Sequence, residues 1–97
     1  MRKLNKISRK IKNRFNEITD ISEELTTGIP KMSLLGNKEC LIENCKGIIQ
    51  YENEKIRLKT IIGKVLVEGE SLHINEIGEG ELLIKGNINS IYIEGEE

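Results

Sequence analysis

Residues 31–97 contain no proline, and their apolar residues stand in short runs separated by glycine, asparagine and glutamate. Within these runs the alternation is typical of strands: Ile56 and Leu58 share one face, and the basic residues beside them share the other. We predict a mostly β fold of about eight short antiparallel strands. They are placed near residues 32–35, 39–43, 47–51, 55–61, 64–68, 71–75, 81–85 and 89–94.

These strands hold more apolar residues than one flat sheet would bury. The run Val-Leu-Val at 65–67 is apolar on both faces, which indicates a central strand. The sheet must therefore curl, double over into a small sandwich, or be covered by another segment. Residues 64–95 also have the loosely repeating texture of a short β-solenoid. Because Leu72, Leu82 and Ile91 are spaced irregularly, by ten and nine residues, we favour a curled meander or small sandwich.

The first residues predict helices instead of strands. Over 3–18, apolar residues recur at spacings of three and four, which puts them on one stripe of an amphipathic helix. Asp20 is typical of an N-cap, and Gly28 of a helix end, so we predict a short second helix near 21–26. The chain is then a basic helical arm, 1–28, followed by a β domain, 29–97. The stripe consists of Leu4, Ile7, Ile11, Phe15 and Ile18.

Charge divides the chain unevenly. Residues 1–14 carry seven bases and no acid, whereas residues 15–97 carry sixteen acids and eight bases. A basic arm of this kind predicts an acidic binding partner. The three alternatives are anionic lipid, an acidic protein face and nucleic acid. No aromatic residue is interleaved with the bases, which disfavours nucleic acid. The apolar face of the arm lacks tryptophan, so docking of the stripe on the sheet or on a partner is favoured over burial in a membrane surface.

The sequence offers little for catalysis or metal binding. Cys40, Cys45 and the single His73 make three soft ligands at most, whereas structural zinc usually takes four. The acidic glycine turn at 78–81 would repel a phosphate. No apolar run reaches the roughly 20 residues of a membrane-spanning helix, and a secretory signal is not evident. We therefore predict a cytoplasmic protein that is not an enzyme, with no metal, no cofactor and free thiols.

Residues 42–48 carry the pattern Ile-Glu-Asn-x-Lys-Gly-Ile, which is the most specific feature of the β region. Pro30 and Met32 precede it, and a glycine-spaced apolar tail follows it as far as residue 95. In this order and context the pattern resembles the YabP/YqfC family of sporulation proteins, and most of all its YqfC branch. Cys45 departs from it, because a ring-bearing residue is more usual at that position.

The resemblance implies a non-catalytic protein of endospore-forming Firmicutes that is required for endospore development. It implies action in the mother cell, in the cytoplasm or peripherally at the membrane around the forespore. A membrane-associated sporulation protein similar to YqfD is the implied partner, with an anionic membrane surface as a further one. Two alternatives remain: a self-assembling, homo-oligomeric β scaffold of the spore envelope, and a small nucleic-acid-binding protein that uses its basic arm.

Two groups of residues are candidates for binding. One lies on the arm and would contact a partner or a membrane; the other is the turn of the family pattern, where asparagine and glycine are also good turn formers. The arm group is Lys6, Arg9, Lys10 and Arg14, and the turn group is Glu43, Asn44, Lys46 and Gly47.

Overall fold

The computed structural model describes residues 28–95, which form one six-stranded antiparallel sheet. Its strands are β1 (Lys31–Leu35), β2 (Glu39–Glu43), β3 (Gly47–Tyr51), β4 (Lys55–Thr60), β5 (Gly63–Gly78) and β6 (Glu81–Gly95). Across the sheet their order is β1-β2-β6-β5-β4-β3. The helices predicted over 3–18 and 21–26 lie outside the described residues, and the division at residue 28 stays a prediction. Within the described part there is no helix long and apolar enough to cross a membrane.

The predicted number of strands is wrong, although the mostly β class is confirmed. The first four predicted strands match β1 to β4 within one residue, but the last four merge into β5 and β6. Residues 69–70 and 86–88 are not turns; the pairing of β5 with β6 continues past them through shifts of register. Such irregularities bend a strand without ending it. Because every strand pair within residues 28–95 is antiparallel, this part of the chain is not a solenoid.

Two glycines allow β5 and β6 to cross closely where they bend. A side chain at Gly69 would overlap the carbonyl of Asn87 on the opposite strand. Gly86 has a φ of +141°, and a side chain there would meet the backbone of Ser71. These positions therefore require glycine for close backbone approach. The bend that they permit turns one half of the sheet over the other.

The bend divides the sheet into two layers that share a core. The first layer consists of β1, β2 and residues 73–78 and 81–85; the second consists of β3, β4 and residues 63–68 and 88–95. Their inner faces meet in a single buried cluster, so the curled sheet is a small sandwich. Each fully buried side chain in it contributes roughly 1.5–3 kcal/mol. The cluster includes Cys40, Ile42, Leu82 and Ile84 from the first layer, and Ile56, Leu58, Val65 and Val67 from the second.

Candidate interaction site

A groove separates β3 from the second half of β5. β3 is an edge strand of the sheet, and β4 pairs with β5 only over residues 63–68, so residues 73–78 have no strand partner on that side among the described residues. At one end of the groove the Ile74 N–H donates a 2.8 Å hydrogen bond to the Tyr51 hydroxyl. At the other end the Cys45 N–H donates a 2.9 Å bond to the Gly80 carbonyl. We call the space between these closures the motif groove; residues 45–48 line one side of it, and residues 77, 78 and 80–82 line the other.

The motif groove is apolar and of side-chain size. Ile48 and Ile77 face it from opposite strands and are 43% and 51% exposed, and Leu82 joins it to the core. Its volume is about 210 Å³. Pockets for small molecules are typically about 300–1,000 Å³, whereas a cavity of about 150 Å³ holds a benzene-sized group. The groove is therefore suited to one large apolar side chain of another protein.

The turn of the family pattern forms one wall of this groove. Lys46 and Gly47 line it, and the Lys46 N–H donates a 2.7 Å bond to the Lys59 carbonyl of the second layer. Asn44 has a φ of +66°, and its side-chain amide donates a 2.8 Å bond to the Ile29 carbonyl. Asn44 thus has a structural role, because it ties the segment before β1 to the turn.

Of the remaining candidates the structure describes only Glu43, which does not line the groove. Glu43 ends β2, between its cross-strand partners on β1 and β6. The arm residues Lys6, Arg9, Lys10 and Arg14 lie outside the described residues, and their role in binding stays a prediction.

Sequence reasoning missed the apolar walls of the groove. Ile48 was assigned to a strand, but alternation does not tell which apolar residues of a strand remain uncovered. Ile77 was placed between strands, and its only signal is that an apolar residue directly precedes an acidic glycine turn. Their exposure follows from how the two layers stop short of each other, which is a property of the whole fold.

The two thiols and the histidine lie in different environments. Burial raises the pKa of the Cys40 thiol to about 12. Burial also raises the pKa of Cys45, against the opposing effect of its 3.4 Å bond to the Gly47 carbonyl. Since the thiolate is the reactive form, neither cysteine is an activated nucleophile. His73 is exposed on its strand. Within residues 28–95, no group of three or more His, Cys, Asp or Glu side chains is placed to hold a metal ion.

Residues 28–95 thus form a small β domain with an open, largely apolar groove at its edge. A model of the YabP family matches residues 27–97, so the chain belongs to the YabP family. The chain is also similar to the uncharacterized protein YqfC of Bacillus subtilis (strain 168), with 25% identity over 76 residues, which cover 77% of this chain and 82% of YqfC. No solved structure matches it significantly. These findings confirm the resemblance seen in the sequence and indicate a sporulation-related protein.

Proposed function

We propose that the chain is a non-catalytic sporulation protein that binds another protein through the motif groove. The observation that carries this proposal is the groove itself: two strand edges and the exposed side chains of Ile48 and Ile77 border an apolar space. The turn that bears the family pattern forms its wall. An apolar side chain in such a pocket is the usual anchor of a protein interface.

The proposed partner is a membrane-associated sporulation protein, similar to YqfD, that inserts an apolar side chain into the groove. The complex would form in the mother cell, at the membrane around the forespore. The bases Lys6, Arg9, Lys10 and Arg14 would hold the protein against anionic lipid, at about 1 kcal/mol for each well-placed charge. The groove then supplies specificity, and the arm supplies the location.

The proposed role of the groove in binding can be tested by introducing a charged side chain into its wall. Ile77→Lys would put an ammonium group into the apolar space and remove the anchor site. Loss of an interface anchor costs about 2 kcal/mol or more, which corresponds to roughly 30-fold in affinity. Ile61→Lys is the matched control, because Ile61 is also 51% exposed but lies in the turn between β4 and β5.

The measurements are the heat-resistant spore count of strains carrying each variant, and recovery of the YqfD-like protein with each tagged variant. We expect Ile77→Lys to lower both, and Ile61→Lys to behave as the wild type. Equal recovery with both variants would refute the groove as the binding site. An unchanged spore count in a strain that lacks the gene would refute the role in sporulation.

The arm is tested separately. Replacing Lys6, Arg9, Lys10 and Arg14 together by glutamine removes four charges and keeps side chains of similar reach. We expect a fluorescent fusion of this variant to leave the membrane for the cytoplasm of the mother cell. If the variant stays at the membrane as the wild type does, the arm does not hold the protein there.

A further inference from the structure

Two leucines are buried on the outer face of the first layer. In β2, Cys40 and Ile42 point into the shared core, so Leu41 between them points outward. Leu83 of β6 is the cross-strand partner of Leu41 and points outward in the same way. Their exposed fractions are nevertheless 1% and 0%, as low as those of the core.

The described strands do not account for this burial. Leu41 and Leu83 pack on each other and on the partly buried Leu35. These three leucines form a cluster separate from the core that the two layers share. A solvated sheet face leaves its larger side chains partly accessible, as Tyr92 shows at 52% on the outer face of the second layer. Leu41 and Leu83 are therefore more buried than an open outer sheet face explains.

We propose that residues 1–27 dock on the outer face of the first layer, with the apolar stripe of the arm packed on Leu35, Leu41 and Leu83. Of residues 1–97, those outside the described range are this segment and residues 96–97. The latter are two glutamates, which are unsuited to cover leucines. The stripe offers four aliphatic residues and Phe15, which are the side chains that a leucine cluster requires.

The point of attachment and the length agree with this placement. The segment continues into β1, the edge strand of the same layer, and the bond from Asn44 holds Ile29 beside that layer. Gly28 lies next to the side chain of Ile61, in the turn between β4 and β5. A helix over residues 3–18 would be about 24 Å long. The face to be covered is smaller than this. Its width is that of three strands spaced about 4.8 Å apart, its length is that of a five-residue strand, and both are less than 20 Å. The arm is therefore long enough to cross the face.

Charge favours the same occupant. Glu39 and Glu43 of β2 alternate with Leu41, and Glu81 of β6 alternates with Leu83. Two bases, Lys31 and Lys85, are the cross-strand partners of Glu43 and Glu39, so the face carries three acids and two bases. The arm has seven bases in its first fourteen residues. Bases beside the stripe would meet these acids, while those on its far side would face outward. Docking would thus leave a basic surface on the protein. The proposed docking of the arm and the proposed binding of a partner in the motif groove are independent of each other.

The docking is tested with a tryptophan in the arm of the full chain. The chain has no tryptophan, so Phe15→Trp introduces a single fluorophore within the stripe. We expect blue-shifted emission and weak quenching by acrylamide. A second substitution, Ile11→Asp, would put a charge in the stripe without touching the sheet. It should shift the emission to the red and raise the quenching constant several-fold, with the circular dichroism of the sheet retained.

The face is tested with a matched pair of leucines in the Phe15→Trp chain. Leu83→Ser should release the introduced tryptophan, whereas Leu66→Ser, on the outer face of the second layer, should not. An exposed tryptophan in the Phe15→Trp parent, or a buried one after the further change Ile11→Asp, would overturn the proposal. Equal emission in the two leucine variants would do the same. Light scattering completes the test, because burial of the introduced tryptophan only in a dimer would assign the face to a second copy.

Discussion

The outer faces of the two layers each bury a leucine, but in different surroundings. On the first layer, Leu83 is 0% exposed beside Leu41 and Leu35. On the second layer, Leu66 is 6% exposed, and its cross-strand neighbours are Arg57 and Tyr92. Long side chains can flank and shield a single leucine, as those of Arg57 and Tyr92 can do for Leu66. The first outer face thus carries a buried leucine cluster, whereas the second carries one buried leucine among partly exposed side chains.

The largest effect that we expect is the contrast between Leu83→Ala and Leu66→Ala. Truncation of a leucine packed on all sides costs about 4 kcal/mol, and at the more accessible site about 2 kcal/mol, toward the lower end of the usual range. Urea unfolding of the two variants measures this difference in the free energy of unfolding. Equal losses would break the comparison, because both faces would then be packed to the same degree.

The packing of the core that both layers share can be tested through the pH dependence of the free energy of unfolding. The pKa of Cys40 is raised to about 12 in the folded protein from an ordinary 9.0, because its thiol is buried. The thiol thus contributes its full stability below pH 9. As the pH rises through 9 toward 12, only the unfolded chain loses the proton, and stability falls by about 1.4 kcal/mol per pH unit.

Urea unfolding at pH 8 and pH 10.5 measures this loss. We expect the wild type to lose about 2 kcal/mol more than Cys40→Ala does between the two, since the other titrating groups are common to both chains. The same loss in the two chains would show that the thiol of Cys40 reaches solvent, and that the inner face of β2 is less closely packed than its outer face.

Local sequence signals predicted the first four strands of the fold. The bounds of β1 to β4 depend on alternation and on turn residues, which act over a few positions. The bend of β5 and β6 could not be predicted in this way. Gly69 and Gly86 fall between the predicted strands, where glycine is typical of turns, but they are required because another backbone passes close to them. That contact exists only when the two strands pair.

Of the candidate site, as of the fold, only part could be predicted from the sequence. The family pattern pointed to Lys46 and Gly47, which line the groove. Ile48 and Ile77 were missed, because the side chains that remain open at a sheet edge depend on how the two layers meet. Leu41 and Leu83 were likewise assigned to strands, but their burial on an outer face depends on residues distant in the sequence.

A third test, of smaller effect, concerns the edge where the layers approach each other. Tyr51→Phe removes the acceptor of the bond from the Ile74 N–H and opens one end of the motif groove. We expect a loss of about 1 kcal/mol, the usual net value of one hydrogen bond. Amide exchange provides the local readout: Ile74 should exchange faster in the variant, whereas Ile84 of the central strand β6 should not. Unchanged exchange at Ile74 would mean that this bond does not close the groove.

The smallest effect should come from the ion pair on the outer face of the second layer. Arg57 Nε lies 3.2 Å from Glu94 Oε1, and the two side chains are 28% and 40% exposed. Such a pair contributes about 0.5 kcal/mol, less at high salt, so Arg57→Gln should be nearly silent. A double-mutant cycle with Glu94→Gln, measured by urea unfolding at low and high salt, isolates the pair. If Arg57→Gln alone cost as much as Leu66→Ala, Arg57 would shield Leu66 as a cover does, and the two outer faces would differ only in what covers them.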